Sequence, residues 1–332
     1  AVRRVEIPKP DGRMRPLGIP TMEDRIIQQC IKQVLEPICE AKFYKHSYGF
    51  RPNRSAHHAV ARAMFLVNIS KYRFVVDVDI KGFFDNVNHG KLLKQLWTLG
   101  IRDKQLLCIL SKMLKAPIQG EGVPAKGVPQ GGILSPLLSN VVLNELDWWI
   151  SSQWGTFPTK TNYAHDLSRY QNLRRTSRMK EVFIVRYADD FKLFCKCRSD
   201  AERLFAAATM WLKERLALEI SPEKSKIVNL KKGYSDFLGF KLKLRPKSGK
   251  WVLKSHMADK AQKKCRENIR MAIGQIGRKP NQWSVMQFNA MVLGLHEYYK
   301  IATNVYVDFD RIAFDVRKTL LCRTKSHRSK TG

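Results

Sequence analysis

Val182-Phe183-Ile184-Val185-Arg186-Tyr187-Ala188-Asp189-Asp190-Phe191-Lys192-Leu193-Phe194-Cys195 sets two acidic residues between two apolar runs. The runs at 182–186 and 191–195 read as paired strands, with Tyr187 to Asp190 as their turn. An Asp-Asp pair in a turn is ordinary by itself, because Asp bonds its own backbone there and is usually solvated. A second segment changes the reading. Phe74-Val75-Val76-Asp77-Val78-Asp79-Ile80 is apolar enough to be a buried strand and carries two more carboxylates. Clustered carboxylates repel one another and raise each other's pKa unless cations lie between them. Magnesium is the natural candidate, since it binds through one or two carboxylates plus substrate phosphates. Two such ions about 3.5–4 Å apart suit an in-line displacement at phosphorus.

Towards the amino terminus, residues 1 to 20 read as two strands joined by Pro10-Asp11-Gly12-Arg13, a hairpin signal. Thr21-Met22-Glu23-Asp24 is a capping-box pattern before apolar residues at helical spacing, so a helix is expected to end near Pro37. Further helices are expected from Ser55 towards Leu66, over 89–98 and over 103–115, before the Gly- and Pro-rich stretch from Gly120 to Gly132. Ser135 before Pro136 reads as an N-cap with Pro at the first helical position. From Trp148 to Glu181 apolar periodicity is lost, which predicts an inserted, mobile excursion.

Towards the carboxyl terminus, Ser199-Asp200-Ala201-Glu202 reads as a second capping box. Short strands are expected at Leu218–Ile220, Lys226–Leu230 and Phe237–Leu244. Beyond Ser255 the pattern is helical throughout, with a third box at Ser284 to Gln287. Strands mixed with helices and then helices alone predict an α+β core with an appended bundle.

Sixty Lys plus Arg against 29 Asp plus Glu give a formal charge of +31. The basic residues cluster, as at Arg174-Arg175-Thr176-Ser177-Arg178 and Arg323 to Arg328, which favours binding of a phosphate backbone. Seven cysteines lack zinc spacing and disulfide density, so reduced thiols are expected. Cys195 and Cys197 alternate on what reads as one strand with a buried apolar face. No apolar run is long enough to span a bilayer, so no membrane partner is expected.

Taken together, the ordered motifs resemble those of group II intron-encoded reverse transcriptases, also called maturases. Tyr187-Ala188-Asp189-Asp190 is similar to that family's central box. Arg15-Pro16-Leu17-Gly18-Ile19-Pro20 and His46-Ser47-Tyr48-Gly49-Phe50-Arg51-Pro52 resemble its fingers motifs. Asp79 to Asp85 and Pro129 to Pro136 resemble its first two palm motifs. Ser221 to Lys226 and Phe237-Leu238-Gly239-Phe240 resemble its last palm motifs, and Gly294 to Tyr299 its thumb region.

The resemblance implies an α+β right-hand polymerase. Fingers would span 1–72 and about 90–122, and the palm 73–89 and 123–254 with an insertion at about 148–181. An all-helical thumb would cover 255–332. It implies RNA-directed DNA synthesis with two Mg²⁺ ions, manganese being a substitute, held by Asp79, the Ile80 carbonyl, Asp189 and Asp190. Asp77 remains open as an alternative first ligand. Lys9, Arg15, Phe84 and Gln130 would meet the incoming dNTP, with Phe84 as the gate against a ribose 2′-hydroxyl. Lys224, with Lys226 as competitor, would protonate pyrophosphate, and Phe237, Leu238 and Gly239 would grip the primer.

Intron RNA, an RNA template and a DNA primer or target are the implied partners, with splicing assistance and retrohoming as implied roles. Arg169, Arg174, Arg175, Arg178 and Lys180 are the candidate contacts with structured intron RNA. A cytoplasmic, ribonucleoprotein-associated bacterial protein is expected, and the family pattern leads one to expect further fingers sequence before residue 1. Oligomeric state, a homodimer included, is not legible. A splicing maturase with secondary polymerase activity and a retron or CRISPR-associated reverse transcriptase remain open alternatives.

Overall fold

Three β-sheets and a set of helices make up the fold, and a computed structural model describes residues 2–8 and 14–324. A hairpin of β1 (Arg3–Pro8) and β2 (Met14–Ile19) opens the chain. α1 (Met22–Glu40) and α2 (Ala56–Asn68) follow, then β3 (Phe74–Val78), α3 (Phe83–Asn86), α4 (His89–Thr98) and α5 (Lys104–Leu114). α6 (Ser135–Ser152) and α7 (Asp166–Thr176) precede the hairpin of β4 (Val182–Tyr187) and β5 (Asp190–Cys195). Next come α8 (Arg198–Trp211), continued by a π-helical turn over Leu212–Leu216, and β6 (Lys226–Asn229). The chain finishes with β7 (Ser235–Phe237), β8 (Phe240–Lys247), β9 (Lys250–Met257), α9 (Asp259–Arg278), α10 (Gln282–Tyr299) and α11 (Val305–Arg323).

The chain divides into two compact units, one of Ala1–Ala63 with Tyr72–Ile227, the other of Met64–Lys71 with Val228–Gly332. In the first unit the central sheet has the order β4-β5-β3-β6. Its middle strands are buried on both faces, which is why they read as continuous apolar runs rather than alternating ones. α6 packs against β4, and α8 against β3 and β5. In the second unit β7, β8 and β9 form a three-stranded sheet. Phe240, Leu242 and Leu244 of β8 turn inward while Lys241, Lys243 and Arg245 alternate outward, as a one-sided sheet requires. α9 packs against both α10 and α11. The break between these compact units falls at Ile227–Val228, and the β7–β9 sheet lies in the same unit as the terminal helices.

Several local expectations give way to packing. α1 runs past Pro37 to Glu40, with Thr21 capping it as read: its hydroxyl accepts from the Asp24 N–H at 3.2 Å. α8 starts at Arg198 behind Cys197 with no side-chain cap, so the box at Ser199 is not used. For the same reason Cys195 and Cys197 do not share a strand: β5 ends at buried Cys195, and Cys197 is exposed. The box before α10 uses Asn281 and Ser284 instead of Ser284 and Gln287. Residues 218–220 form no strand of their own, only an isolated bridge between Ile80 and Ile220.

The stretch 148–181 is the largest departure. It is not a structureless excursion: α6 continues through Ser152, and Trp154 is fully buried with its ring stacked on Tyr170 of α7 at 6.0 Å. Glu181 closes the segment by accepting from the Tyr72 hydroxyl at 2.6 Å, from Arg174 at 2.7 and 3.0 Å, and from Lys196. Burial disfavours that carboxylate's charge, yet Arg174, Lys196 and Tyr72 outweigh it and hold its pKa at about 2. A folded-state value below the ordinary 4.5 means stability that is full above that pH and fades as pH falls towards 2. Glu181→Gln is therefore expected to lower the melting temperature at pH 7. The difference from wild type should shrink in melts below about pH 4, and an undiminished difference there would refute the assignment.

Candidate active site

The register of the central sheet brings the acidic residues together. β3 and β5 pair antiparallel as far as Val78 opposite Phe191, and Asp79 and Asp190 are the next residues of the two chains beyond that pair. β4 and β5 close with Tyr187 opposite Asp190, leaving Ala188 and Asp189 as a two-residue turn in which Ala188 is left-handed, φ 57°. Crowding by surrounding protein, then the charges of Asp77, Asp189 and Asp79, push the Asp190 carboxyl up to about 6 against the pull of Lys192. Water at the residue's exposed edge screens part of this.

The loop ahead of β6 fixes Asp79 from the other side. The Ser221 N–H donates to the Asp79 carbonyl at 2.8 Å, and the Asp79 N–H donates to the Ser225 hydroxyl at 3.1 Å. Lys224 reaches the Asp79 carboxylate at 3.2 Å, whereas Lys226 is an exposed residue of β6. The bridge to Ile220 uses the Asp79 carbonyl and the Lys81 N–H, which leaves the Ile80 carbonyl outside it. Asp77 is ion-paired with Lys192 at 2.6 Å.

A buried network that the sequence reading missed holds the Asp-Asp turn. Arg186, fully buried, grips Asp147 of α6 through three contacts of 2.7 to 3.0 Å. Its remaining nitrogen donates to the Asn140 side chain at 2.9 Å and to the Ala188 carbonyl at 2.8 Å, within the turn itself. Asn140 in turn donates to the Gly49 carbonyl at 2.8 Å. The Tyr48 N–H donates to the Arg186 carbonyl and the Arg186 N–H to the His46 carbonyl, at 2.9 and 3.1 Å. The segment His46 to Gly49 thus lies directly against the turn. A Cβ on Gly49 would stand 2.3 Å from the Ala188 nitrogen, so only glycine fits. Gly49→Ala is expected to reduce any activity of the site at least tenfold while leaving the circular-dichroism spectrum unchanged; full activity would show the contact to be dispensable. The signal in the sequence was an Arg inside an apolar strand together with Asn140 and Asp147 inside an apolar helix.

Phe84 and Gln130 line one cavity of about 390 Å³, with Gly18, Arg4, Met113, Glu121 and Val128 among its other walls. Phe84 is half-buried and its carbonyl accepts from the Val128 N–H at 2.7 Å. The Pro129–Gly132 loop rests on β2: the Gly18 N–H donates to the Gln130 carbonyl at 2.6 Å. Gly131 has φ 112°, and a Cβ there would meet the Gly18 carbonyl at 2.6 Å. Lys9 lies outside the described residues, and Arg15 sits on β2 with its side chain outside them.

In the second unit, Phe237, Leu238 and Gly239 form the tip of the β7–β8 hairpin, Leu238 and Gly239 both left-handed at φ 52° and 81°. α10 supports that tip, since the Tyr298 hydroxyl donates to the Leu238 carbonyl at 3.0 Å. Of the basic residues of 148–181, Arg174 is engaged with Glu181, and Arg169 with Asp166 and the Gly155 carbonyl. Arg175, Arg178 and Lys180 are exposed.

Among the described residues no three acidic, His or Cys side chains are drawn together closely enough to hold an ion unaided. The donors are hard oxygens only, and Asp190 bears an excess of neighbouring negative charge that a cation would relieve. The set fits a Mg²⁺-like ion that takes much of its shell from water and substrate phosphates.

Residues 7–242 match the family described as reverse transcriptase (RNA-dependent DNA polymerase). Protein YkfC of Escherichia coli (strain K12) is 35% identical over 253 residues, covering 72% of this chain and 66% of that protein. Group II intron-encoded protein LtrA of Lactococcus lactis subsp. cremoris is 33% identical over 285 residues, covering 74% of this chain and 47% of that protein. The chain thus spans between about half and two thirds of these relatives. Among solved structures, telomerase from Candida tropicalis with a fragment of telomeric RNA superposes with a TM-score of 0.53 at 13% identity, over 95% of this chain and 55% of that one. At that identity the likeness shows the fold, the α+β right-hand polymerase that the motifs implied.

Proposed function

Because the chain belongs to the reverse transcriptase family, we propose that it is the polymerase part of a group II intron-encoded protein, extending a DNA primer on an RNA template with dNTPs. What supports this reading is that the β3–β5 pairing ends just before Asp79 and Asp190, with the charges of Asp189 and Asp79 acting on Asp190. The reading includes intron RNA as a partner, in support of splicing and retrohoming, as the motif resemblance implies, and LtrA, a group II intron-encoded protein, is a relative. It also includes fingers, palm and thumb over the ranges given by the motifs.

In this reading Asp79, Asp189, Asp190 and the Ile80 carbonyl hold two Mg²⁺ ions. Such ions, if bound by these residues, would supply activation of the primer hydroxyl and charge stabilisation of the departing pyrophosphate. The protein's own part is positional. Arg186 and Gly49 fix the height of the Asp189–Asp190 turn, and the Ser221–Ser225 loop fixes Asp79. Lys224, already beside Asp79, is placed to neutralise or protonate the leaving phosphate. Phe84 and Gln130, which line the same cavity, would bound the nucleotide's sugar and base.

The test is primer extension on an RNA template with divalent cation, comparing dNTPs with rNTPs. Wild type is expected to extend with dNTPs and to discriminate against rNTPs. Phe84→Ala should relax that discrimination at least tenfold by removing the ring a 2′-hydroxyl would strike. Failure of the wild type to extend, or equal use of both nucleotides, would refute the reading.

A further inference from the structure

Asp77 and Lys192 face each other across β3 and β5 as register partners, 2.6 Å apart, with their side chains 11% and 2% exposed. Alternation places Asp77 on the same sheet face as Asp79, and Lys192 on the same face as Asp190. The pair therefore lies one step along each strand from the candidate ligands, about 6.6 Å from them at two residues of strand rise. A buried ion pair is seldom justified by stability, since apolar residues of similar volume usually serve as well. Its place beneath a cluster of carboxylates supplies another reason. Unit charges at that distance in a protein interior act strongly on a divalent ion.

We propose that the buried Asp77–Lys192 pair sets the net charge under the carboxylate cluster, and through it the affinity of the site for divalent cations. Asp77 deepens the negative potential and Lys192 offsets it, so the pair as a whole is nearly neutral. Asp79, Asp189, Asp190 and Lys224 are the other charged groups of the cluster. This inference rests on the polymerase reading for the identity of the ligands, and it goes further by giving a role to two residues outside the proposed ligand set.

The experiment is calorimetric titration of the full chain with Mn²⁺, without nucleotide or nucleic acid, on wild type, Asp77→Asn, Lys192→Met and the double variant. Asp77→Asn removes the negative charge beside the buried ammonium and is expected to weaken Mn²⁺ binding at least tenfold. Lys192→Met removes the positive charge beside the carboxylate and is expected to tighten binding at least threefold. The double variant should return to within about threefold of wild type. Merely structural damage would shift both single variants the same way, and that outcome, or shifts below twofold in both, overturns the proposal. Where one single variant does not fold, the other compared with the double variant decides by the same criterion. Wild type that binds Mn²⁺ and makes no DNA would count against the polymerase reading and leave this inference standing.

Discussion

Asp190→Asn is expected to lower primer extension by roughly a thousandfold or more while the protein keeps its fold. Charge stabilisation by a bound metal ion is worth several kcal/mol at the transition state, and each 1.36 kcal/mol is a factor of ten in rate. Asp190 lies at the end of β5, opposite Tyr187 and, like Asp79, one residue beyond the last β3–β5 pair. An amide in that place keeps the size and loses the charge that holds a cation. It also removes a carboxylate whose charge is disfavoured by burial and, after that, by the neighbouring Asp77, Asp189 and Asp79, which together raise it to about 6, so thermal stability should hold or rise slightly. Near-normal synthesis by the variant, checked by extension under single-turnover conditions, would remove Asp190 from the metal site.

Arg186→Met is expected to cost about 3–5 kcal/mol of folding stability, the penalty of leaving a buried carboxylate without its partner. Arg186 and Asp147 are both without solvent access and share three close contacts. Arg186→Lys keeps the charge and loses the fork that serves Asp147, Asn140 and Ala188 together, so it should fall between the two. Paired with Asp147→Leu, Arg186→Met should recover much of the stability and little of the activity, because the Ala188 carbonyl still lacks its donor. Denaturant melts and extension assays on the same proteins separate these effects. A single variant as stable as wild type would mean that Asp147 is satisfied some other way.

Motif order and strand patterning make most of the central sheet legible in the amino-acid sequence. β4, β5, α4 and α5 lie within a residue or two of where periodicity puts them, because their apolar pattern and their burial agree. What stays hidden is tertiary. Nothing local in His46 to Arg51 says that Gly49 must touch Ala188, since that contact joins residues 139 positions apart in the chain. The segment 148–181 misleads for a related reason. Its order comes from one buried indole and a knot of ion pairs around Glu181, which leave no period in the sequence. Capping boxes at Ser199 and Ser284 fail because a nearby residue can start the helix earlier. Asp77 and Asp79, indistinguishable by alternation, are separated only by the lysine that each one meets.

Strand β5 keeps its chemistry on alternate positions, Asp190 and then Lys192, while Phe191 and Leu193 fill the opposite face. Losing or gaining a single residue anywhere between the turn and Cys195 would swap the two faces at one stroke. Among descendants of a common ancestor, this stretch should accumulate replacements freely at some places and gaps at none, a pattern of inheritance imposed by pleating and not by any one side chain.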